Sequence, residues 1–219
     1  LKEFKIKGKG NYVMKKIGIC AYFAAAALCA LLFSSCQSKT IKNIPTETIF
    51  GDESAVLAEN NAVDFYFYYP ENFNIQRNDA MITVYINDSE IVPIDALDPG
   101  SSENFKIETK PNLSATVFAL PEGKYETIDA YWNEFGVPSF ESVFIDLESE
   151  PEETLTVDGV EAKKYTYAFS VAGMKYRISQ IVFFNRRQVY TLTYTATESR
   201  YQTYSNVLQI AAQTFKFKQ

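Results

Sequence analysis

The strongest constraint on the fold lies between Thr154 and Ala196. Three long runs, Val160 to Val171, Met174 to Phe184 and Gln188 to Ala196, follow a short one, Thr154 to Val157. Asp158-Gly159, Ala172-Gly173 and Asn185-Arg186-Arg187 divide them. Asp-Gly supplies the positive φ angles of a tight hairpin turn. Within the runs, Tyr165, Tyr167 and Phe169 share a face of their strand. So do Tyr176, Ile178, Val182 and Phe184 on the next, and Tyr190, Leu192 and Tyr194 on the third. The pattern predicts a continuous antiparallel meander.

A sheet with apolar side chains on a face needs a cover. The sequence predicts a terminal helix from about Glu198, capped by Thr197 or Ser199, with Tyr201, Tyr204, Leu208, Ala211 and Phe215 as its buried stripe. A second helix starts at an N-cap, Thr127, with Ile128, Tyr131, Trp132 and Phe135 on one side. Gly136 and Pro138 are expected to stop it. Ser139 then caps a further helical unit through Phe140, Val143, Phe144 and Leu147. Trp132, the single tryptophan, reads as core. Asp64 to Pro70, Ala80 to Ile86 and Ser114 to Leu120 read as strands.

The N-terminal region has a different character. Lys15 and Lys16 precede an uncharged apolar run, Ile17 to Phe33, and small residues Ser34 and Ser35 precede Cys36. This order is that of a secretory signal. The run is short for a retained span, which takes about 20 residues. Leu32-Phe33-Ser34-Ser35-Cys36 resembles the lipobox of bacterial lipoproteins, with Phe33 where Leu is usual. The resemblance implies cleavage before Cys36 and a diacylglycerol, with or without palmitate, on its sulfur. Residues 1–13 are expected to be an over-extended N-terminus, 14–35 the signal, 36–61 the lipidated cysteine and a flexible tether, and 62–219 the folded domain. A short helical turn is expected near Glu53 to Glu59.

Charge divides at the same place. Six of 21 basic residues but one of 27 acidic residues precede position 36, leaving 15 basic and 26 acidic, net −11. Such a domain repels nucleic acid and anionic head groups. Membrane attachment therefore falls to acyl chains, on the extracytoplasmic side. Cys20 and Cys29 leave with the signal and Cys36 takes lipid, so no disulfide is expected. Stability must come from packing, in keeping with 15 Tyr and 17 Phe.

The chain contains no histidine, which excludes His-based triads and HExxH zinc sites. No G-x-S-x-G or S-x-x-K motif is present. Acidic segments at Asp88 to Asp98 and Glu148 to Glu153 offer oxygens, but their spacing is not that of an EF-hand, and both read as solvated loops. No catalytic residue, metal or cofactor is expected. Arg186 and Arg187, on a hairpin tip, are candidate binding residues; as turn residues they equally serve solubility.

Four motifs together resemble the PsbP-like family. They are Phe65-Tyr66-Phe67-Tyr68-Tyr69-Pro70, the stretch Asn112 to Tyr131 with its Leu-Pro-Glu-Gly, the Val157 to Ala162 hairpin, and Val189 to Ala196 before a terminal helix. The resemblance implies an α+β fold, a central antiparallel β-sheet flanked by helices as an α/β/α sandwich. It also implies binding or assembly, not catalysis. Three functions compete: a tethered module for a protein partner, a small-molecule or lipid carrier marked by a deep apolar pocket of about 300 Å³ or more, and, more distantly, a hydrolase.

Overall fold

The computed structural model describes residues 54–93, 106–171 and 173–218. Cys36, the signal, and Asp95 to Asp98 of the first acidic segment lie outside them. No helix of the described residues is long and apolar enough to cross a membrane.

The architecture is α+β. The predicted meander is present as β10 (Val160–Val171), β11 (Met174–Asn185) and β12 (Gln188–Thr197). Around it stand β3 (Asn74–Asn78), β4 (Met81–Tyr85) and β7 (Asn112–Ala119), with β8 (Ile145–Ser149) and β9 (Glu153–Val157) both against β10. The order is β3-β4-β7-β12-β11-β10-β8, antiparallel throughout, so β12 is the middle strand. Asp158 and Gly159 turn with φ of 46° and 81°, as an Asp-Gly hairpin requires.

Helices cover both faces. On one face, Ile82, Val84, Leu113, Ala115, Ile181, Phe183, Leu192 and Tyr194 pack under α3 (Glu198–Tyr204) and α4 (Asn206–Thr214). A three-stranded sheet shares this layer: β1 (Ala55–Glu59), β2 (Phe65–Pro70) and β13 (Lys216–Phe217), in the order β1-β2-β13. On the other face, Tyr165, Tyr167, Phe169, Tyr176, Ile178 and Val182 meet α1 (Ile128–Tyr131), a π-turn over Trp132–Gly136, and α2 (Val137–Glu141). Burial, with Glu90 nearby, pushes the Tyr176 phenol up to about 12. That phenol therefore stays neutral at neutral pH.

Several expectations are corrected. Residues 55–59 form β1, not a helical turn, because they pair along the whole of β2. Glu90–Pro93, expected in a loop, is β5, paired with β6 (Lys106–Thr109). Gly136 and Pro138 do not stop the helix. A wide turn, closed by the Val137 N–H on the Trp132 carbonyl, carries it through, and Pro138 sits in the first turn of α2, where its missing N–H costs nothing. Gly136 is there for another reason: a Cβ would lie 2.4 Å from the Trp132 ring. The expected stripe from Phe140 to Leu147 is broken, since Val143 is exposed and Leu147 belongs to β8. The terminal helix is two helices meeting at Ser205, and Phe215 lies beyond them in extended backbone. Thr127 does cap α1, its hydroxyl accepting from the Ala130 N–H at 3.1 Å.

Candidate functional site

The acidic segments are engaged by the protein itself. Asp88 accepts a hydrogen bond from the Tyr204 hydroxyl at 2.8 Å and pairs with Arg200 at 3.1 Å. Glu90 accepts from Thr197 and Ser199. Glu148 to Glu153 is less of a loop than expected, because β8 ends and β9 begins within it. Glu150 pairs with Arg177, Glu152 with Lys163 at 2.9 Å and Glu153 with Lys164 at 2.7 Å. Among the described residues no three His, Cys, Asp or Glu side chains group as metal ligands would.

Arg186 and Arg187 occupy the two central positions of the β11–β12 turn. Their φ angles are 48° and 63°. A two-residue hairpin of this hand favours Asn-Gly, since left-handed backbone penalises a side chain. Register explains what stands beside them. Gln188 faces Ala119, so the chain leaving β7 passes the hairpin tip. The Leu120 N–H donates to the Arg187 carbonyl at 2.9 Å and ties the two together. Leu-Pro-Glu-Gly then turns through Gly123, with φ of 67°, and Tyr125 follows at φ 83°.

Between these two loops lies an open groove of about 240 Å³. Leu120, Tyr125 and Phe184 give it an apolar wall, and Lys124, Arg186 and Arg187 give it cations. Tyr125 is held edge-on to Tyr131 at 5.3 Å, and Tyr131 edge-on to Phe184 at 5.7 Å, so the wall is continuous with the aromatic core. Among the described residues, five other than glycine have positive φ: Tyr125, Asp146, Asp158, Arg186 and Arg187. Asp tolerates that conformation. The three bulky residues that do not all line this groove.

The cations are lightly committed. Lys124 pairs with Glu134 at 3.1 Å and Arg187 with Glu122 at 3.4 Å, all four substantially exposed. Exposed pairs of this kind hold their partners weakly and exchange readily. Among the described residues Arg186 has no ion-pair partner. Its charge is felt at Tyr190: burial and the Asp64 carboxylate push that phenol up, and Arg186 pulls it part of the way back.

The hairpin tip was legible in the sequence; Lys124, Tyr125 and Phe184 as its companions were not. Leu-Pro-Glu-Gly marked a turn, but only the pairing of β7 with β12 places that turn beside Arg187.

A second groove, of about 490 Å³, runs between α4 and the outer strands. Leu155, Ile181, Leu208 and Ala212 form its floor, and Asn206, Gln209 and Gln213 its rim.

No family model matches the sequence, and no curated protein matches it. Solved structures do resemble it. They include PsbP (CyanoP) from Synechocystis sp. PCC 6803, 17% identical over 84% of this chain and 98% of that one, TM-score 0.45. The Saccharomyces cerevisiae Ran-binding protein Mog1p is 10% identical over 76% and 96%, TM-score 0.49. LpqN of Mycobacterium tuberculosis, described as involved in cell envelope biogenesis, is 12% identical over 78% and 88%, TM-score 0.48. PsbP thus stands among the structures that the chain resembles, as its motifs suggested. The likeness is one of fold and names no ligand or partner.

Proposed function

We propose that this chain is a lipid-anchored extracytoplasmic module that binds a protein partner and performs no catalysis. The anchor reading rests on the sequence around Cys36. The binding reading rests on one observation: Tyr125, Arg186 and Arg187, three bulky residues in left-handed backbone, converge on one cationic, aromatic-walled groove. Backbone strain of about 1–3 kcal/mol per residue persists only where the surrounding structure holds it, and it concentrates at functional positions. The groove is smaller than the ~300–1,000 Å³ that encloses a drug-sized ligand. It suits one anchoring side chain of a partner, with carboxylates beside it to meet Arg186 and Arg187.

The test is crosslinking in membranes from a photoreactive residue at Gln188, with the full chain as bait. A specific adduct should form and should disappear in Arg186→Glu/Arg187→Glu. Lys175→Glu, at the opposite end of β11, should leave it intact. An adduct indifferent to the arginine reversal, or equally weakened by the control, overturns the assignment.

The groove along α4 favours a second reading, a small-molecule carrier, because its volume falls in the range for enclosed ligands. It ranks below the first because none of the residues that line it stands in left-handed backbone.

A further inference from the structure

β9 runs along one side of β10, and among the described residues it pairs with no other strand. The two-residue turn at Asp158-Gly159 fixes which of its peptide groups are engaged. A turn of that length makes Val157 and Val160, which flank it, a hydrogen-bonded pair. Alternation makes Leu155 with Ala162 and Glu153 with Lys164 the next such pairs. Thr154 and Thr156 therefore turn their N–H and C=O groups outward, away from β10. Among the described residues those groups meet no main-chain partner, and both threonines are exposed.

A strand edge of this kind is usually blunted by a charge, a proline or a bulge. β8, farther along the same side of β10, has a register shift between Ala168 and Ser170 and left-handed backbone at Asp146. β3, at the other end of the sheet, is tied across by Arg77, whose Nε donates to the Glu59 carbonyl at 2.7 Å. From Thr154 to Val157, β9 has no charge, no proline and no break in register.

Instead it forms one bank of the 490 Å³ groove, through Glu153, Leu155 and Thr156. The other bank is α4. It brings exposed Asn206, Gln209 and Gln213 to the groove at i, i+3 and i+7. They span about 10 Å of helix, the length of about three extended residues. Their amides both donate and accept, as a peptide group does. The floor between the banks is apolar, with half-buried Leu155 on the strand side. Charge at the start of β9 is uneven. Lys163 is shared by Asp129 and Glu152, and Arg177 by Glu150 and Glu198, while Glu153 has Lys164. Carboxylates outnumber cations there, and the Glu153 side chain is 63% exposed.

We infer that this groove takes an extended segment of a protein partner, added to β9 as a further antiparallel strand. The unpaired main chain of β9 selects the class, because only another main chain repeats its donors and acceptors at the same spacing. A compact small molecule would fill the floor and leave that edge unmet. Register sets the motif. The residue facing Leu155 points to the same side as Leu155, onto the floor, and is apolar. The next faces Thr154 and exchanges both main-chain hydrogen bonds with it. The one after faces Glu153 and is Lys or Arg. The site is independent of the hairpin-tip groove.

The probes are labelled peptides Ser-Thr-X-Thr-Lys-Thr-Ser, with X as Leu, Ile, Phe or Tyr, read by fluorescence anisotropy against the full chain in detergent. At least one should bind saturably with Kd below about 100 μM. Methylating the amide nitrogen of the threonine between X and Lys removes the N–H that meets the Thr154 carbonyl, and should weaken binding tenfold or more. Thr156→Pro should do the same. It deletes an outward N–H and leaves the β9–β10 ladder whole, as proline on an edge strand can. Gln209→Ala/Gln213→Ala, at exposed helix positions, gives a second reading should the proline variant fold poorly. Glu153→Lys should shift preference to the peptide with Glu in place of Lys. Arg186→Glu should leave all of this unchanged. The inference is overturned by absence of binding, by equal binding of the methylated peptide, or by binding that survives both sets of groove variants. It is also overturned if Glu153→Lys still prefers the lysine peptide, or if Arg186→Glu abolishes binding.

Discussion

Gly136→Ala should destabilise this protein, against the usual expectation for a glycine in a helix. Gly136 has ordinary right-handed backbone, with φ −63° and ψ −62°. At such a site alanine normally stabilises, by about 0.4–1 kcal/mol, through a smaller loss of chain entropy. The added Cβ, however, would stand 2.4, 2.6 and 2.9 Å from three atoms of the Trp132 ring. Carbon atoms in contact prefer about 3.5–4.0 Å. The ring cannot yield: it stacks on Tyr165 with centroids 4.0 Å apart and 5° between planes, and its N–H donates to the Tyr167 hydroxyl at 3.0 Å. Overpacking of this sort costs roughly 1–3 kcal/mol. The steric term wins, for a net loss of about 1–2 kcal/mol. In a domain of this size that lowers the melting temperature by roughly 3–6 °C. The cycle with Trp132→Ala makes the reasoning refutable. Without the ring, Gly136→Ala should turn stabilising, and the coupling should show in urea melts followed by circular dichroism. A stabilising Gly136→Ala in the wild-type background, or the same sign in both backgrounds, would refute the argument.

Trp132→Ala alone should cost about 3–5 kcal/mol, since Trp132 is 4% exposed; a loss below about 1 kcal/mol in the same melts would put the ring outside the core. Asp158→Asn should flatten the acid limb of stability. Burial pushes the Asp158 carboxyl up, but hydrogen bonds from Lys216 and the Phe217 N–H outweigh it and hold the pKa below its ordinary 3.8. The stabilisation is therefore complete above that value and lost as pH falls through the lower folded pKa; equal acid limbs in wild type and variant would contradict it. Cys36→Ala should abolish incorporation of radiolabelled palmitate and shift the protein out of the membrane fraction; unchanged labelling would refute the anchor.

The meander was legible because its period, its turn residues and its apolar positions all agree, and the antiparallel register follows from hairpins of fixed length. The failures have a common source. β3, Asn-Ile-Gln-Arg-Asn, has no apolar alternation, and it is a strand because β4 offers an unpaired edge. β1 and β13 likewise exist through their pairing with β2. Gly136 is a helix breaker by local chemistry and a helix residue by the demand of Trp132 for space. In each case a tertiary partner overrides the local signal, and that partner is not adjacent in sequence. The same holds for the candidate sites. Arg186-Arg187 stood out as a turn, while Lys124 and Tyr125 joined it only through strand register. The polar side of the central strands did leave a trace: Thr191, Thr193, Thr195 and Thr197 alternate through β12, and Asn112, Ser114 and Thr116 through β7.

The division of the sheet into unlike faces bears on where function can reside in this fold. The face under α3 and α4 is apolar on β4, β7 and β12, while Thr166 and Ser179 on β10 and β11 are satisfied by each other and by Tyr201, so an unpartnered polar substitution on those three strands leaves a buried group unpaired and reports on folding alone. The opposite face is divided. Over β10 and β11 it is an aromatic stack closed by α1, the π-turn and α2, with Trp132, Tyr165, Phe140 and Tyr167 ring against ring. Over β4, β7 and β12 it carries Ser and Thr hydroxyls that are all but fully buried. The hairpin-tip groove lies at the end of the sheet, where the Phe184 ring marks the last of the aromatic stack and the backbone carries its strain. Stability is thus concentrated in regions separate from the exposed arginines of that groove. Variants at Arg186 can then lose binding without unfolding, which is the condition under which the groove can be tested at all.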